Sequence, residues 1–347
     1  MVKKKNIVFI VNPISGTTNK KSIVRHIEEG IDKEKYNTII KYTEYAGHAV
    51  KIAADAVAEG VDIVVAIGGD GTVNEVGRSL IHSNTALGII PCGSGNGLAR
   101  HLQIPMDVKG AVEVINKGVT ECVDFGKIND IPFFCTCGVG FDAFVSLKFA
   151  SSRKRGILTY LENTLRESLK YKPDTYEIED ENGMLQYKAF LIACANASQY
   201  GNNVYIAPQA SMCDGLMDVI ILQPFTVLDV PALALQLFTK NIDKSSLIKT
   251  IRCKKIHIRR EHEGVIHYDG DPIMTGKEID VELFGKGVNI VVNNTAEGRE
   301  TNFLQTFADY FNELNSIPGK MSMNNLSMSN KRILVLNREL LRKLTKR

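Results

Sequence analysis

The stretch Gly68-Gly69-Asp70-Gly71-Thr72 decides the fold of this chain. It follows the apolar run Asp62–Ile67, which predicts a buried strand, and it leads into Thr72–Ile81, which has helical spacing. Glycines at such a turn let backbone amides approach a phosphate, and the N-terminus of the next helix favours an anion. Asp70 would repel a phosphate, but it suits Mg²⁺ held directly or through water. This loop alone leaves open a plain glycine-rich turn with Asp70 as helix cap.

Two further polar, glycine-bearing loops follow predicted strands. Cys92–Gly97 comes after the run Ala86–Pro91, and Asn12–Gly16 comes after Asn6–Val11. The carboxyl ends of parallel strands lie at one rim of an open α/β sheet, where such sheets bind ligands. None of the loops matches the Walker pattern or a dinucleotide fingerprint, which argues against a P-loop NTPase and a nicotinamide oxidoreductase. Three such loops at one rim predict a binding site for a phosphate-bearing ligand.

The pattern of elements predicts two domains. Strands and helices alternate over residues 1–125, which predicts a doubly wound, mostly parallel α/β domain. Residues 126–296 hold short β-rich runs and predict an antiparallel, sandwich-like second domain. Residues 297–317 have helical spacing and are expected to pack back on the first domain, and residues 318–347 predict a linker and a basic amphipathic tail.

Within the second half, we expect one strand in each of several apolar runs. These include Tyr187–Asn196, Ile251–Arg259, Glu278–Phe284 and Val288–Asn293, with Gly285-Lys286-Gly287 interpreted as a turn between the last two. Helices are expected near Ile157–Tyr171 and Thr226–Thr239.

Charge and composition exclude some classes of function. The chain has 42 Lys and Arg against 39 Asp and Glu, a net charge of +3, and no Trp, so nothing favours nucleic-acid binding. Residues 318–347 carry eight basic side chains and one acidic one, a charge of +7, so the rest of the chain sums to −4. Any attraction to an anionic membrane surface is therefore expected at the tail.

Cysteine usage and the N-terminus point to a cytoplasmic protein. The seven cysteines are scattered and include no C-x-x-C pair, which favours neither zinc nor a disulfide framework. Lysines before Ile7–Val11 mimic a signal peptide, but the apolar stretch is short and runs into Asn12-Pro13 without a cleavage site. No run of eighteen apolar residues occurs, so we expect no membrane-spanning helix.

The motifs together resemble the diacylglycerol kinase catalytic-domain superfamily, above all its soluble bacterial lipid kinases, which are also similar to sphingosine kinases. The resemblance runs in order through residues 5–295 and does not cover the last fifty residues. Its motifs are Asn12–Gly16, Thr43 with Gly47–Ala49, Gly68–Thr72 with Asn74-Glu75, Gly93–Asn96, Gly138–Ala143, Asn196 with Tyr200-Gly201, Pro208–Ala210, Asp214–Asp218 and Asp269–Asp271.

The resemblance implies an ATP- and Mg²⁺-dependent transfer of the γ-phosphate to a lipid hydroxyl, in a cleft between the domains. Asp271 is the expected general base, although the family more often has Glu there, and Asp70 is the expected catalytic partner of Mg²⁺. The residues expected to bind the nucleotide are Asn12, Ser15, Thr43, Gly68, Gly69, Asp70, Gly71, Thr72, Val73, Asn74 and Ser94.

The resemblance also implies a substrate residue and a second metal site. Asp142 lies where sphingosine kinases have the carboxylate that recognises the lipid headgroup. Ser211, Asp214 and Leu216 resemble a structural Mg²⁺ site, in which the Asp side chain and two backbone carbonyls bind the ion. The acceptor lipid is left open among diacylglycerol, a sphingoid base, phosphatidylglycerol and other lipid alcohols. The oligomeric state, a homodimer included, is also left open.

Two other functions remain as alternatives. An NAD kinase shares the Gly-Gly-Asp-Gly loop and the two-domain plan, but it would not need the Asn12–Gly16 loop or the Asp269–Asp271 turn. An inactive regulator that binds nucleotide or lipid is the other, and the presence of both Asp70 and Asp271 counts against it. A lipid kinase without a membrane span is expected to be cytoplasmic and to associate peripherally with the membrane.

Overall fold

The computed structural model describes residues 3–16, 19–151, 171–226 and 228–294. The helix predicted near Ile157–Tyr171 lies almost wholly outside these ranges, and so do the helix, linker and tail predicted after residue 296. None of the helices within these ranges is long and apolar enough to cross a membrane.

Strands and helices alternate in the first part of the chain, as the sequence predicts. Their bounds are β1 Lys5–Val11, α1 Lys20–Gly30, β2 Tyr36–Tyr42, α2 His48–Ala58, β3 Ile63–Gly68, α3 Asp70–Ser79, β4 Ala86–Pro91, α4 Gly97–His101 and α5 Val108–Lys117. The sequence analysis did not predict α4 and α5, and α3 begins two residues earlier than the predicted Thr72.

Most elements of the second part are strands. They are β5 Thr120–Ile128, β6 Ile131–Phe133, β7 Thr136–Gly140, α6 Phe141–Ser151, β8 Asp174–Asp180, β9 Gly183–Ala189, β10 Leu191–Ala195, β11 Gln199–Gly201, β12 Val204–Tyr205, β13 Met217–Leu222, α7 Val230–Phe238, β14 Ile248–Cys253, β15 Lys255–Arg260, β16 Gly264–Tyr268, β17 Asp271–Thr275 and β18 Glu278–Val291. A short 3-10 helix, Ile242–Lys244, precedes β14.

The first four strands form a parallel sheet in the order β2-β1-β3-β4. The side chains of Ile7–Val11 in β1 are at most 1% exposed, because the strand is covered on both faces. The chain leaves β1 for β2 on one side and returns past β1 to β3 on the other. The loops after β1 and β3 therefore flank the topological switch point of the sheet, where such folds bind ligands.

The second part is a sandwich of antiparallel strands. One sheet, with the order β14-β13-β10-β7-β16-β17, packs on the strands β15, β8 and β18 of the other. Buried side chains from both sheets, such as Ile192 and Val281, fill the space between them. Strand β18 also pairs in parallel with β4, so the parallel strands and one layer of the sandwich form a single long sheet. The predicted fold class is confirmed.

The expected turn at Gly285-Lys286-Gly287 is wrong, since it is an irregularity inside β18. The pairing of β18 with β5 shifts its register between Phe284 and Val288. Lys286 has a positive φ of 51°, and its N–H donates to Asp124 Oδ1 at 2.8 Å. That side-chain hydrogen bond satisfies a backbone group that the ladder leaves unpaired, so one strand continues where the glycines suggest an end.

Two predicted strands are each two strands in the structure. The run Tyr187–Asn196 contains the end of β9, in the long sheet, and all of β10, in the short one. The run Ile251–Arg259 contains parts of β14 and β15, which also lie in different sheets. The chain changes sheets between these strands without a glycine or proline. An unbroken apolar pattern does not reveal such a change, because both strands are buried on the same core.

Candidate active site

The three loops predicted to share one rim contact one another. Asn12 donates from Nδ2 to Thr72 Oγ1 at 3.0 Å, which joins the loop after β1 to the start of α3. A Cβ on Gly93 would lie 2.5 Å from Gly69 Cα, so the loops after β3 and β4 touch backbone to backbone. The glycines at this rim thus allow the loops after β3 and β4 to approach each other more closely than residues with a Cβ would permit.

Asp70 joins the same two loops through its carboxylate. It accepts hydrogen bonds from Asn96 N at 2.8 Å and Gly97 N at 2.7 Å. It is not a helix cap, because it lies in the first turn of α3 and the N-cap residue is Gly69. Loss of solvation raises the pKa of Asp70 to about 6, and the negative charge of Asp269 adds to this, although the two backbone hydrogen bonds oppose it.

Asn96 fixes the shape of the loop after β4, a role that the sequence analysis missed. Its backbone has a positive φ of 53°. Its side chain accepts from Gly93 N at 2.9 Å and donates to Gly93 O at 2.8 Å. An asparagine among glycines was a visible signal, because Asn adopts the left-handed conformation more readily than most residues.

The turn between β16 and β17 brings the second half of the chain to this rim. Asp269 accepts four hydrogen bonds, from the side chain of Asn74 at 2.9 Å and from the backbone N–H groups of Phe134, Cys135 and Thr136 at 2.9, 2.7 and 3.2 Å. Asp269 and Gly270 both have positive φ, at 47° and 89°. Asp269 is therefore a buried clamp between the turn, α3 and β7, and the sequence analysis assigned it no role.

Asp271 begins β17 and is exposed. Its Oδ2 lies 3.4 Å from the point that a Cβ on Gly71 would occupy, so its carboxylate faces the first turn of α3. Partial desolvation raises the pKa of Asp271, and the charges of Asp269 and Glu75 add to the rise, while Arg78 and His267 oppose it. The structure thus brings together Asp70, Asp271 and the glycine loops, which lie far apart in the sequence.

The other residues predicted to bind nucleotide line the same rim at different depths. Ser94 is exposed, whereas Ser15, Thr43, Thr72, Val73 and Asn74 are buried. Ser15 donates from Oγ to Asn12 O at 3.0 Å, and Thr43 N donates to Val11 O at 2.9 Å. These contacts shape the rim, and direct binding of nucleotide by these residues stays a prediction.

Asp142 lies at the start of α6, and its side chain is only 9% exposed. Its Oδ2 accepts from Tyr200 Oη at 3.0 Å and lies 3.0 Å from His267 Nε2, and its Oδ1 accepts from Ala143 N at 2.8 Å. His267 stands opposite Pro272 in the β16–β17 hairpin. A substrate group at Asp142 would have to replace one of these donors, so its substrate role stays a prediction.

The turn with Ser211, Asp214 and Leu216 does not fit a divalent cation. Asp214 Oδ1 accepts from Leu216 N at 3.1 Å, and Asp214 Oδ2 lies 2.5 Å from Nη2 of Arg252. A positive guanidinium therefore stands at the one side chain that was expected to bind the ion. No group of three or more His, Cys, Asp or Glu in the described part of the chain converges on a common metal position.

Two family models match this chain in succession. The diacylglycerol kinase catalytic domain matches residues 6–128, and the YegS C-terminal NAD kinase beta sandwich-like domain matches residues 135–292. A probable lipid kinase, YegS-like, of Klebsiella pneumoniae is 31% identical over 74% of this chain and 84% of its own length. A diacylglycerol kinase of Bacillus subtilis is 27% identical over 78% of this chain and 90% of its own length.

A solved structure shares the fold. The crystal structure of a diacylglycerol kinase from Bacillus anthracis covers 85% of this chain and 99% of its own, with a TM-score of 0.65 at 21% identity. The first family model covers the part of the chain with the glycine loops, and the second covers the β-sandwich that follows it. The chain therefore belongs to the diacylglycerol kinase catalytic-domain family, among the YegS-like lipid kinases, and is a lipid kinase.

Proposed function

We propose that this kinase transfers the γ-phosphate of Mg²⁺-bound ATP to the hydroxyl group of a membrane lipid, with Asp271 as general base. One observation carries the proposal, namely the position of the Asp271 carboxylate beside Gly71 at the N-terminus of α3. That helix end suits the phosphates, because its free N–H groups and its dipole favour negative charge. A base next to this point would lie close to an acceptor hydroxyl that attacks the γ-phosphate.

The residues around Asp70 fit Mg²⁺. Desolvation raises the pKa of Asp70 and of Asp271, and the negative charge of Asp269 adds to both rises, so a cation near Asp70 would be favourable. One carboxylate suits Mg²⁺ bound mainly by substrate phosphates and water. Bound there with ATP, the ion would neutralise charge on the phosphate oxygens. Asp70 would hold it while keeping its hydrogen bonds to the loop after β4, which fixes the carboxylate in place.

Asp271 would accept the proton of the lipid hydroxyl as its oxygen attacks the γ-phosphorus and the bond to the bridging oxygen of ADP breaks. Desolvation raises the pKa of Asp271 and the charges of Asp269 and Glu75 add to the rise, which makes its carboxylate a stronger base. Asp269 holds the turn with four hydrogen bonds, so the base is fixed relative to α3. Such fixed geometry is what phosphoryl transfer chiefly demands of a protein.

The surface beside Asp271 has apolar character that suits an acceptor with hydrocarbon chains. Ile273 follows Asp271 by two residues on β17, so it lies on the same face of the strand, and it is 39% exposed, whereas Met274, 58% exposed, lies on the opposite face. An exposed apolar side chain next to a polar catalytic group suits a lipid, whose hydroxyl and chains need opposite environments. We therefore propose that the enzyme acts at the membrane surface, where it takes its acceptor from the bilayer.

Incubation of the purified protein with γ-labelled ATP tests this function. The acceptors are diacylglycerol, sphingosine and phosphatidylglycerol, each in detergent micelles, with NAD as the non-lipid arm. We expect label in at least one lipid, dependent on Mg²⁺, and none in NADP. Label in NADP alone would indicate an NAD kinase. ATP binding with no labelled product in any arm would indicate a regulator, and either result would overturn the proposal.

A further inference from the structure

Arg252 lies between two carboxylates that come from different elements. It is on β14, directly opposite Asp218 of β13. Its Nε lies 2.9 Å from Asp218 Oδ1, and its Nη2 lies 2.5 Å from Asp214 Oδ2 in the turn before β13. The planar guanidinium thus uses two of its nitrogen atoms to bind the turn and the strand together.

Burial makes this contact more than a surface ion pair. The side chain of Asp218 is 4% exposed, whereas those of Asp214 and Arg252 are 33% and 48% exposed. Burial raises the pKa of Asp218, and Arg252 acts against that rise. A carboxylate so far from water needs a cation or several donors to stay ionised, and Arg252 is the cation in contact with it.

The same turn is also fixed from its other side. Asp124, 1% exposed, accepts from Gly215 N at 2.8 Å, and its own N–H donates to Met212 O at 2.7 Å. Asp124 belongs to β5 of the long sheet, and Arg252 belongs to β14 of the short one. The turn of residues 211–216 therefore joins the two sheets, and Arg252 supplies the only cation within 4 Å of its carboxylate in the described part of the chain.

We propose that Arg252 takes the place of a structural divalent cation in this chain. The sequence resemblance implies an ion bound by Ser211, Asp214 and Leu216, and the guanidinium occupies the carboxylate oxygen that such an ion would need. A guanidinium and a divalent cation at one carboxylate repel each other, so the binding of one disfavours that of the other. The turn then holds its shape without bound metal, whatever metal the nucleotide site uses.

Thermal melts of the nucleotide-free protein test the first half of this proposal. We expect the wild type to have the same Tm in EDTA and in 10 mM Mg²⁺, Ca²⁺ or Mn²⁺. Any small shift that the metal causes should be equally large in the Asp214→Asn variant. A rise of about 3 °C or more that Asp214→Asn abolishes would overturn the proposal, because it would show an ion bound at this turn.

Substitution of Arg252 tests the second half. Arg252→Met should lower the Tm in EDTA, because Asp218 is left buried without its cation, and divalent ions should restore part of the loss. Arg252→Lys, which keeps the charge, should lower the Tm less and stay insensitive to metal. Arg259→Met is the matched control, since Arg259 also contacts two carboxylates, Glu278 at 2.8 Å and Glu177 at 3.5 Å, but on an exposed face.

The Arg259 control should show no response to divalent ions. The proposal that Arg252 takes the place of a divalent cation would be overturned by either of two results. One is a wild-type Tm in Arg252→Met, and the other is a lowered Tm that no divalent ion raises. Should Arg252→Met fail to fold, the comparison of the wild type with Asp214→Asn and Arg252→Lys still decides the question.

Discussion

Asp269 and Asp271 lie two residues apart on one turn, and their partners give them different roles. Asp269 accepts four hydrogen bonds from groups of the protein, which use up its acceptor capacity. Asp271 is exposed, and its carboxylate faces the first turn of α3. The first residue is a structural clamp, and the second remains available to a substrate.

Asp271→Asn should reduce kcat by at least about 10²-fold, the loss expected when a general base is removed. The substitution keeps the shape of the side chain, so the dissociation constant of ATP and the Tm should stay near those of the wild type. Label transfer and a nucleotide-binding titration measure the two effects. Asp130→Asn is a charge-matched control at an exposed position in the turn before β6. Turnover close to that of the wild type in Asp271→Asn would show that another group takes the proton.

Protonation of Asp70 should reduce the activity of the enzyme below about pH 6. Its pKa is raised to about 6, so it becomes protonated as the pH falls through that value and would then bind Mg²⁺ less well. We expect kcat/KM for ATP to fall below pH 6 and to recover in part with more Mg²⁺. Asp70→Asn should lose most activity, and its residual rate should depend only weakly on Mg²⁺. A Mg²⁺ curve like that of the wild type in this variant would contradict the assignment.

The sequence revealed the residues whose chemistry follows from a local motif. Asp70 stands in a glycine loop after a strand, and Asp271 stands in a recognisable turn. Asp269 and Arg252 were missed because their roles depend on distant partners. The backbone N–H of Phe134, which binds Asp269, is 135 residues away along the chain, and no local pattern predicts such a pairing.

At the scale of elements, the contact between the two glycine loops is a steric requirement. A Cβ on Gly93 would lie 2.5 Å from Gly69 Cα, and backbone on both sides leaves little room for relaxation. Gly93→Ala should therefore lower the free energy of unfolding by about 1–3 kcal/mol and raise the KM for ATP. Gly276→Ala is the control, since a Cβ there meets nothing within 4 Å. Equal effects of the two substitutions in melts and kinetics would refute the requirement.

The exposed face of the long sheet carries a pH-dependent ladder of charges. His257 on β15 lies 3.0 Å from Asp280 and 2.7 Å from Glu278, both on β18. Hydrogen bonding to Asp280 is the largest cause of its raised pKa. Because the folded state holds the proton more tightly, the stabilisation is full below the unfolded pKa of about 6.5 and is lost as the pH rises through the folded pKa.

His257→Gln should therefore lower the Tm clearly at pH 5.5 and hardly at pH 9. Melts of the wild type and the variant across this range measure the difference. His262→Gln, at an exposed position in the loop after β15, is the control and should show little change at either pH. A Tm difference for His257→Gln that is constant across the range would rule out the proton-linked origin.

The pattern of apolar runs predicted β1, β3 and β4 because these parallel strands are covered on both faces, and it also predicted β2, an edge strand that is largely exposed. It failed where the chain changes sheets, between β9 and β10 and between β14 and β15. The core of the sandwich takes side chains from both sheets, so the apolar pattern continues across the change. Only the pairing partners, which a single sequence does not show, tell the two sheets apart.

At the scale of the whole molecule, the candidate site is assembled from both halves. The glycine loops belong to the parallel strands, and Asp271 belongs to a hairpin of the second sheet. The long sheet continues from β4 into β18, and Asn74 Nδ2 donates to Asp269 at 2.9 Å, which joins α3 to the β16–β17 turn. These links hold Asp271 at a fixed position relative to the glycine loops, so neither half would have the candidate site alone.

The basic tail of residues 318–347, which lies outside the described residues, should bring the enzyme to its substrate. Its charge of +7 would be attracted to an anionic membrane surface, and each basic residue near such a surface contributes about 1 kcal/mol. Its leucines add apolar area that can enter the interface. Deletion of residues 320–347 should therefore weaken binding to anionic vesicles, most strongly at low salt, and leave turnover of a short-chain soluble acceptor nearly unchanged. Neutral vesicles are the control. Equal vesicle binding by both proteins would refute the role of the tail, and a parallel loss of activity on the soluble acceptor would show that the tail supports the fold instead.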